Sequence, residues 1–130
     1  MKFLATLIFT FSSLAAFSQS YYWVGGSGNW SDYANHWATS SGGSTFHTQS
    51  PTSANNVFFD ANSFSGSGQA VTLDAEANCL SMNWTGVTSF PSIVGNGNTL
   101  NIFGSLTLSP DMTANFKYVE FESTTSGNTI

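Results

Sequence analysis

Ala70-Val71-Thr72-Leu73-Asp74-Ala75-Glu76-Ala77 alternates without a break. In an extended strand, Val71, Leu73, Ala75 and Ala77 fall on one face and Thr72, Asp74 and Glu76 on the other. Working outward, residues 79–84 follow the same rule, with Leu80, Met82 and Trp84 facing in. Pro91-Ser92-Ile93-Val94 makes a short third strand, closed by the turn residues Gly95-Asn96-Gly97-Asn98. The cycle then repeats. Leu100-Asn101-Ile102 resembles Val71-Thr72-Leu73, Leu106-Thr107-Leu108 resembles Leu80-Ser81-Met82, and Val119-Glu120-Phe121 stands where Ile93 stood, at offsets of 29, 26 and 26 residues. A further cycle opens at Thr129-Ile130.

Short strands in cycles of 26–29 residues, separated by Gly, Asn and Ser that reach positive φ cheaply, predict an all-β fold: a right-handed parallel β-solenoid. About two coils of three strands each occupy residues 67–130. Equivalent strands would stack about 4.8 Å apart and bury one apolar column. An antiparallel β-sandwich, which also has turns every 8–12 residues, is the alternative. The ending at Gly127-Asn128-Thr129-Ile130 cuts into what should be a new strand, so the chain is expected to be part of a longer one.

Composition supports a β fold and excludes several partners. Ser, Thr, Asn and Gly supply 60 of the 130 residues, and only nine are charged: seven acids, Lys2 and Lys117, with no Arg. Nucleic acid is excluded as a partner, since neutralising phosphates needs a Lys/Arg patch. A helical bundle is disfavoured for want of Glu/Lys/Arg arrays. Disorder is disfavoured by 41% hydrophobic and 15% aromatic content.

Residues 1–18 have the form of a cleaved signal peptide: Met1-Lys2, an apolar run, then Ala16-Phe17-Ser18 before Gln19. The run is too short for a membrane span, which needs about 20 apolar residues, so none is expected after cleavage. Secretion or cell-surface display follows. Removal of the signal leaves 112 residues with a net charge near −6 and one cysteine, Cys79, expected to be a shielded small hydrophobe.

Residues 19–66 have a different texture, rich in Trp, Gly and Asn. In Y-Y-W-V-G-G-S-G-N-W-S-D-Y-A-N-H-W, residues 21–37, Trp23, Trp30 and Trp37 recur every seven residues. One helical turn is expected around Tyr33 to Trp37, with Ser31 or Asp32 as its N-cap. Two roles fit the aromatics. They can plug the open end of the stack as an amino-terminal cap, or Tyr22, Trp23, Trp30 and Trp37 can form a platform for an extracellular glycan, with Asn29, Asp32 and Asn35 bonding hydroxyls. The platform requires at least two exposed, near-coplanar indoles.

This run, followed by P-T-S-A-N-N-V-F-F-D at residues 51–60, resembles the amino-terminal segment of large bacterial adhesin-like proteins exported by the type IX secretion system. It is also similar to the openings of autotransporter-type β-helical passengers. The resemblance implies an extracellular β-helical stalk or adhesin that meets a glycan or a cell-surface receptor, and it carries no catalytic residue onto these positions.

Other chemistry has weaker support. His36 and His47 match no zinc-ligand spacing. Asp32, Asp60 and Asp74 are hard oxygen donors suited to Ca²⁺, but no calcium-loop pattern surrounds them, so no cofactor is expected. Asp74 and Glu76 at i, i+2 lie roughly 7 Å apart, as in glycoside hydrolysis, which keeps open a fragment of a β-helical polysaccharide-degrading enzyme. The lack of Arg and the same spacing at Glu120 and Glu122 favour a solvated face. The expectation is a non-enzymatic structural or adhesion module, with a carbohydrate-binding module as the alternative.

Overall fold

A computed structural model describes residues 18–130. The expected signal peptide, apart from Ser18, lies outside the described residues. The elements are β1 (Ser20–Trp23), β2 (Gly28–Asn29), α1 (Tyr33–His36), β3 (Trp37–Ala38), β4 (Asn56–Phe58), β5 (Ala70–Thr72), β6 (Ala77–Cys79), β7 (Met82–Asn83), β8 (Ser92–Val94), β9 (Thr99–Ile102), β10 (Leu106–Thr107), β11 (Thr113–Asn115) and β12 (Tyr118–Phe121). They form three sheets: A in the order β10-β7-β4-β1-β3, B in the order β11-β8-β5-β2, and C in the order β12-β9-β6. From β4 onward the chain visits A, B and C in rotation, three times over.

The fold is all-β with parallel sheets. Eight of the nine strand pairings are parallel. That overturns the antiparallel sandwich, in which neighbouring strands would run oppositely. The exception makes sheet A mixed: β3 pairs antiparallel with β1, aligning Tyr22 with Ala38 and Trp23 with Trp37. An antiparallel bridge from Ala38 to Phe46 follows.

Two expected strands are broken by corners. Residues 70–77 divide into β5 on sheet B and β6 on sheet C, with Asp74, Ala75 and Glu76 exposed between them. Ala75 therefore faces out instead of in. Asp74 accepts hydrogen bonds from the Ser31 N–H (3.0 Å) and hydroxyl, which ties this corner to the chain before α1. Residues 79–84 divide at Leu80-Ser81, so Cys79, Met82 and Trp84 are buried while Leu80 is only half-buried.

The repeat is correspondingly shorter than the expected 26–29 residues. Val57 aligns with Met82 and Met82 with Leu106, steps of 25 and 24. On sheet B, Ala70, Ser92 and Thr113 align, steps of 22 and 21. On sheet C, Ala77, Leu100 and Val119 align, steps of 23 and 19. Leu100 thus pairs with Ala77 and not with Val71, because Val71 and Leu100 lie on different sheets. Near the end of the chain, the Leu106 N–H donates to the Thr129 carbonyl at 2.9 Å.

These registers align the apolar side chains. Val57, Met82 and Leu106 line sheet A, Val71 and Ile93 line sheet B, and Ala77 with Leu100 and Cys79 with Ile102 line sheet C. Each fully buried aliphatic contributes about 1.5–3 kcal/mol through removal from water. The corner between β8 and β9 is a tight turn. Asn96 and Gly97 both adopt positive φ (49° and 84°), and the Asn98 N–H donates to Gly95 at 2.8 Å. The Asn98 side chain also donates to the Leu73 carbonyl, fastening this turn to the preceding pass (2.7 Å). The helical turn forms as expected, with Asp32 at its N-cap position.

Candidate functional site

Alternation along β1 sends Tyr21 and Trp23 inward and leaves Tyr22 on the outer face of sheet A. Trp37 enters from β3, directly across from Trp23. Trp30 follows β2, its backbone N–H bonded to the Thr72 carbonyl (2.8 Å). All three indoles are buried. Trp23 and Trp30 meet Trp37 edge-on, at interplanar angles of 83° and 73°. Two of their N–H groups have partners inside: Trp23 Nε1 donates to the Gly26 carbonyl (2.7 Å) and Trp37 Nε1 to the Trp30 carbonyl (2.9 Å).

Trp23, Trp30 and Trp37 therefore do not offer the exposed, near-coplanar indoles that a sugar-stacking platform requires, because all three are buried and meet edge-on. Of the four candidate residues, only Tyr22 keeps part of its ring in solvent. It stacks on Phe58 of β4 at 5.0 Å and 19°. Phe58 and Phe59 carry no periodic signal of their own, and their positions follow only from the β1–β4 register. Phe59 stacks inside on Trp84 at 3.8 Å and 7°. The Trp84 Nε1–H has no hydrogen-bond partner there, at the cost of one unsatisfied donor.

The two histidines act as covers for β1. His36 lies flat on Trp23 (4.5 Å, 5°), with Nδ1 2.7 Å from the Val24 carbonyl. A β-carbon at Gly28 would collide with the His36 ring, so the absence of a side chain at that position makes room for the imidazole. His47 lies flat on Tyr21 (3.5 Å, 9°), with Nε2 3.1 Å from the Ser20 carbonyl. Burial raises the Tyr21 phenol above its ordinary value, opposed by a hydrogen bond from Gln49.

The candidate calcium donors sit in separate places. Asp32 accepts from the Asn35 amide (2.9 Å), Asp60 from the Asn62 N–H (2.8 Å), and Asp74 from Ser31. Among the described residues no group of three or more His, Cys, Asp or Glu side chains is gathered as a metal site would need. Asp74 and Glu76 both lie in the corner between β5 and β6 and not on one strand face, and Glu76 accepts from the Asn101 amide of β9 (3.1 Å). Asn101 also donates to Asn78, its ladder partner (3.2 Å). Cys79 is buried, and burial pushes its thiol up to about 12, so the nucleophilic thiolate is scarce at neutral pH.

No family model, curated protein or solved structure matches this chain. Its buried aromatics pack into one core cluster, and Tyr22 and Phe58 lie half-buried on the outer face of sheet A.

Proposed function

We propose that this chain is a right-handed, three-sided β-solenoid acting as a non-enzymatic structural or adhesion module outside the cell. In this reading the Trp-rich segment of residues 19–66 closes its amino-terminal end. One observation carries it: sheets A, B and C are entered in rotation with parallel partners 19–25 residues apart. A chain that winds this way stacks identical backbone edges, and the right-handed sense follows from the strong preference of parallel crossovers.

The mechanism is presentation. Such a stack projects long flat faces rather than a cleft, and its rigidity comes from ladder hydrogen bonds and a continuous apolar interior. Antiparallel β3 ends sheet A against the parallel run, and the indoles of Trp23, Trp30 and Trp37 fill the interior at that end. The low charge fits outer rows in which successive residues sit about 4.8 Å apart, where like charges would repel and Asn, Ser and Thr can bond to one another. The adhesin-like motif and the signal-like residues 1–18 support the extracellular placement.

The test is export with processing. Expressed in a bacterium with a general secretory pathway, the full chain should leave the cytoplasm with Gln19 as its new amino terminus, read by mass spectrometry. The exported product should give β-type circular dichroism, and trypsin should cut it only after Lys117. Retention of an unprocessed chain in the cytoplasm would defeat the extracellular reading, and a structure without three stacked parallel sheets would defeat the solenoid.

A further inference from the structure

We infer that the outer face of sheet A is a binding site for a neutral glycan chain, centred on the row Tyr22, Phe58, Asn83 and Thr107. The inference goes beyond the structural role above and does not depend on it, because strand register alone fixes the row.

Tyr22, Phe58, Asn83 and Thr107 are aligned across β1, β4, β7 and β10, so they follow one another along the stack about 4.8 Å apart. None is charged. The first two are aromatic and stacked on each other, half-buried at 5.0 Å. The next two are small and polar. Among the described residues, the only ring stacked on Phe58 is Tyr22, and the neighbour on its other side along the row is an amide. The row therefore steps down from an aromatic wall to a polar floor. A pyranose fits such a ledge: its C–H face packs on a ring while its hydroxyls reach amide and hydroxyl groups beside it.

The adjacent outer row behaves differently. Asn56 donates to the Ser18 hydroxyl (3.0 Å), the Ser81 hydroxyl accepts the Ser105 N–H (3.0 Å), and the Ser105 hydroxyl reaches Asn128 (3.5 Å). That row spends its polar side chains on neighbouring protein groups. In the Tyr22 row, Asn83 Oδ1 accepts the Thr85 N–H (2.7 Å), which leaves the amide N–H₂ to donate elsewhere, and Thr107 is exposed. Free donors thus coincide with the aromatic step.

Charge selects the class of glycan. The face holds no Lys or Arg to pair with a carboxylate or sulfate, and the whole chain carries seven acids against two lysines. Anionic polysaccharides are repelled and neutral ones are not.

The experiment is isothermal titration of the full chain with cellohexaose, xylohexaose and mannohexaose, and with hexagalacturonate as the anionic counterpart. At least one neutral hexamer should bind, and hexagalacturonate should not. Phe58→Ala should weaken binding tenfold or more. Thr107→Val, which removes only an exposed hydroxyl, should weaken it severalfold. Tyr33→Ala, on α1, should leave affinity unchanged. Circular dichroism of each variant separates lost binding from lost folding, and if Phe58→Ala unfolds, Thr107→Val decides. No heat from any neutral hexamer at millimolar concentration overturns the inference. So does a folded Thr107→Val chain that binds like the parent, or hexagalacturonate that binds as tightly as the neutral sugars.

Discussion

Thirty-six residues separate the paired positions Ser20 and Asn56 on sheet A, whereas 25 separate Val57 from Met82 and 24 separate Met82 from Leu106. The first interval holds β2, α1, β3 and the turn leading to Phe46; the later ones hold one strand each from sheets B and C. The interiors differ in parallel. Up to Phe64 the interior is mainly aromatic, with Tyr21, Trp23, Trp30, Trp37, Phe59 and Phe64 in one cluster. Beyond it, apart from Trp84 and the partly buried Phe116, the interior is built of small and aliphatic side chains, most of them in register. Where the backbone repeats, rows of aligned small and aliphatic residues fill the space, a small one often beside a larger one, as Ala77 beside Leu100. Where it does not repeat, large rings crossing edge-to-face fill irregular volume, and histidines cover what remains.

That contrast can be broken most decisively at Trp37. Its ring meets Tyr21, Trp23, Trp30 and Phe59, and its N–H is bonded inside. Trp37→Ala should cost about 3–5 kcal/mol, read as a fall in the urea midpoint. A loss under about 1 kcal/mol would show that the aromatic end does not hold the fold.

Within the regular passes, Ile93 is fully enclosed, between Val71 and Ala114 in its row, and Ile93→Ala should cost about 2–5 kcal/mol. Leu108, just after β10 and beside Trp84, is 46% exposed, so Leu108→Ala should cost well under half as much. Equal losses at the two positions would mean that the segment after β10 packs as tightly as β8.

At the β8–β9 corner, Gly97→Ala should cost about 1–2 kcal/mol. No atom lies within 4 Å of the added β-carbon, so the loss reports backbone strain at φ +84° alone. Gly28→Ala probes the opposite case in the aromatic segment, where the β-carbon strikes the His36 ring. The expected sign is a displaced His36, visible as a shifted imidazole resonance in the proton spectrum.

The smallest effect is pH-dependent. Burial raises Cys79 from its ordinary 9.0 to about 12, so the folded chain holds that proton longer than the unfolded one. The stabilisation is fully present below pH 9 and is lost as pH rises toward 12. At pH 10 the loss is about 1 kcal/mol. Comparing urea midpoints at pH 8 and pH 10 should show this slope in the parent and not in Cys79→Ala; the Tyr21 phenol contributes equally to both.

Much of the strand content was legible because alternation is a local signal. Val71, Leu73, Met82, Trp84 and Ile93 are inward as the pattern requires, and the turn at residues 95–98 and the helical turn before Trp37 form where Gly, Asn and Asp place them. The corners at residues 74–76 and at Leu80-Ser81 were hidden. Leu73 and Ala77 are both inward, so a period of two runs unbroken through a bend between them, and nothing in the pattern marks a change of direction. The candidate site fared similarly. Aromatic spacing singled out the Trp-rich segment, but buried and exposed rings have the same sequence, and Phe58 became a neighbour of Tyr22 only through pairing across 36 residues.

By itself the sequence determined that the chain makes short strands with one apolar face, few charges and cheap turns, since each of these rests on side chains within a few residues of one another. Only the tertiary structure decided which strands are partners, which rings are covered and which outer row is left with free donors. Those outcomes depend on the summed lengths of the corners, and a difference of two or three residues there moves a side chain to another sheet.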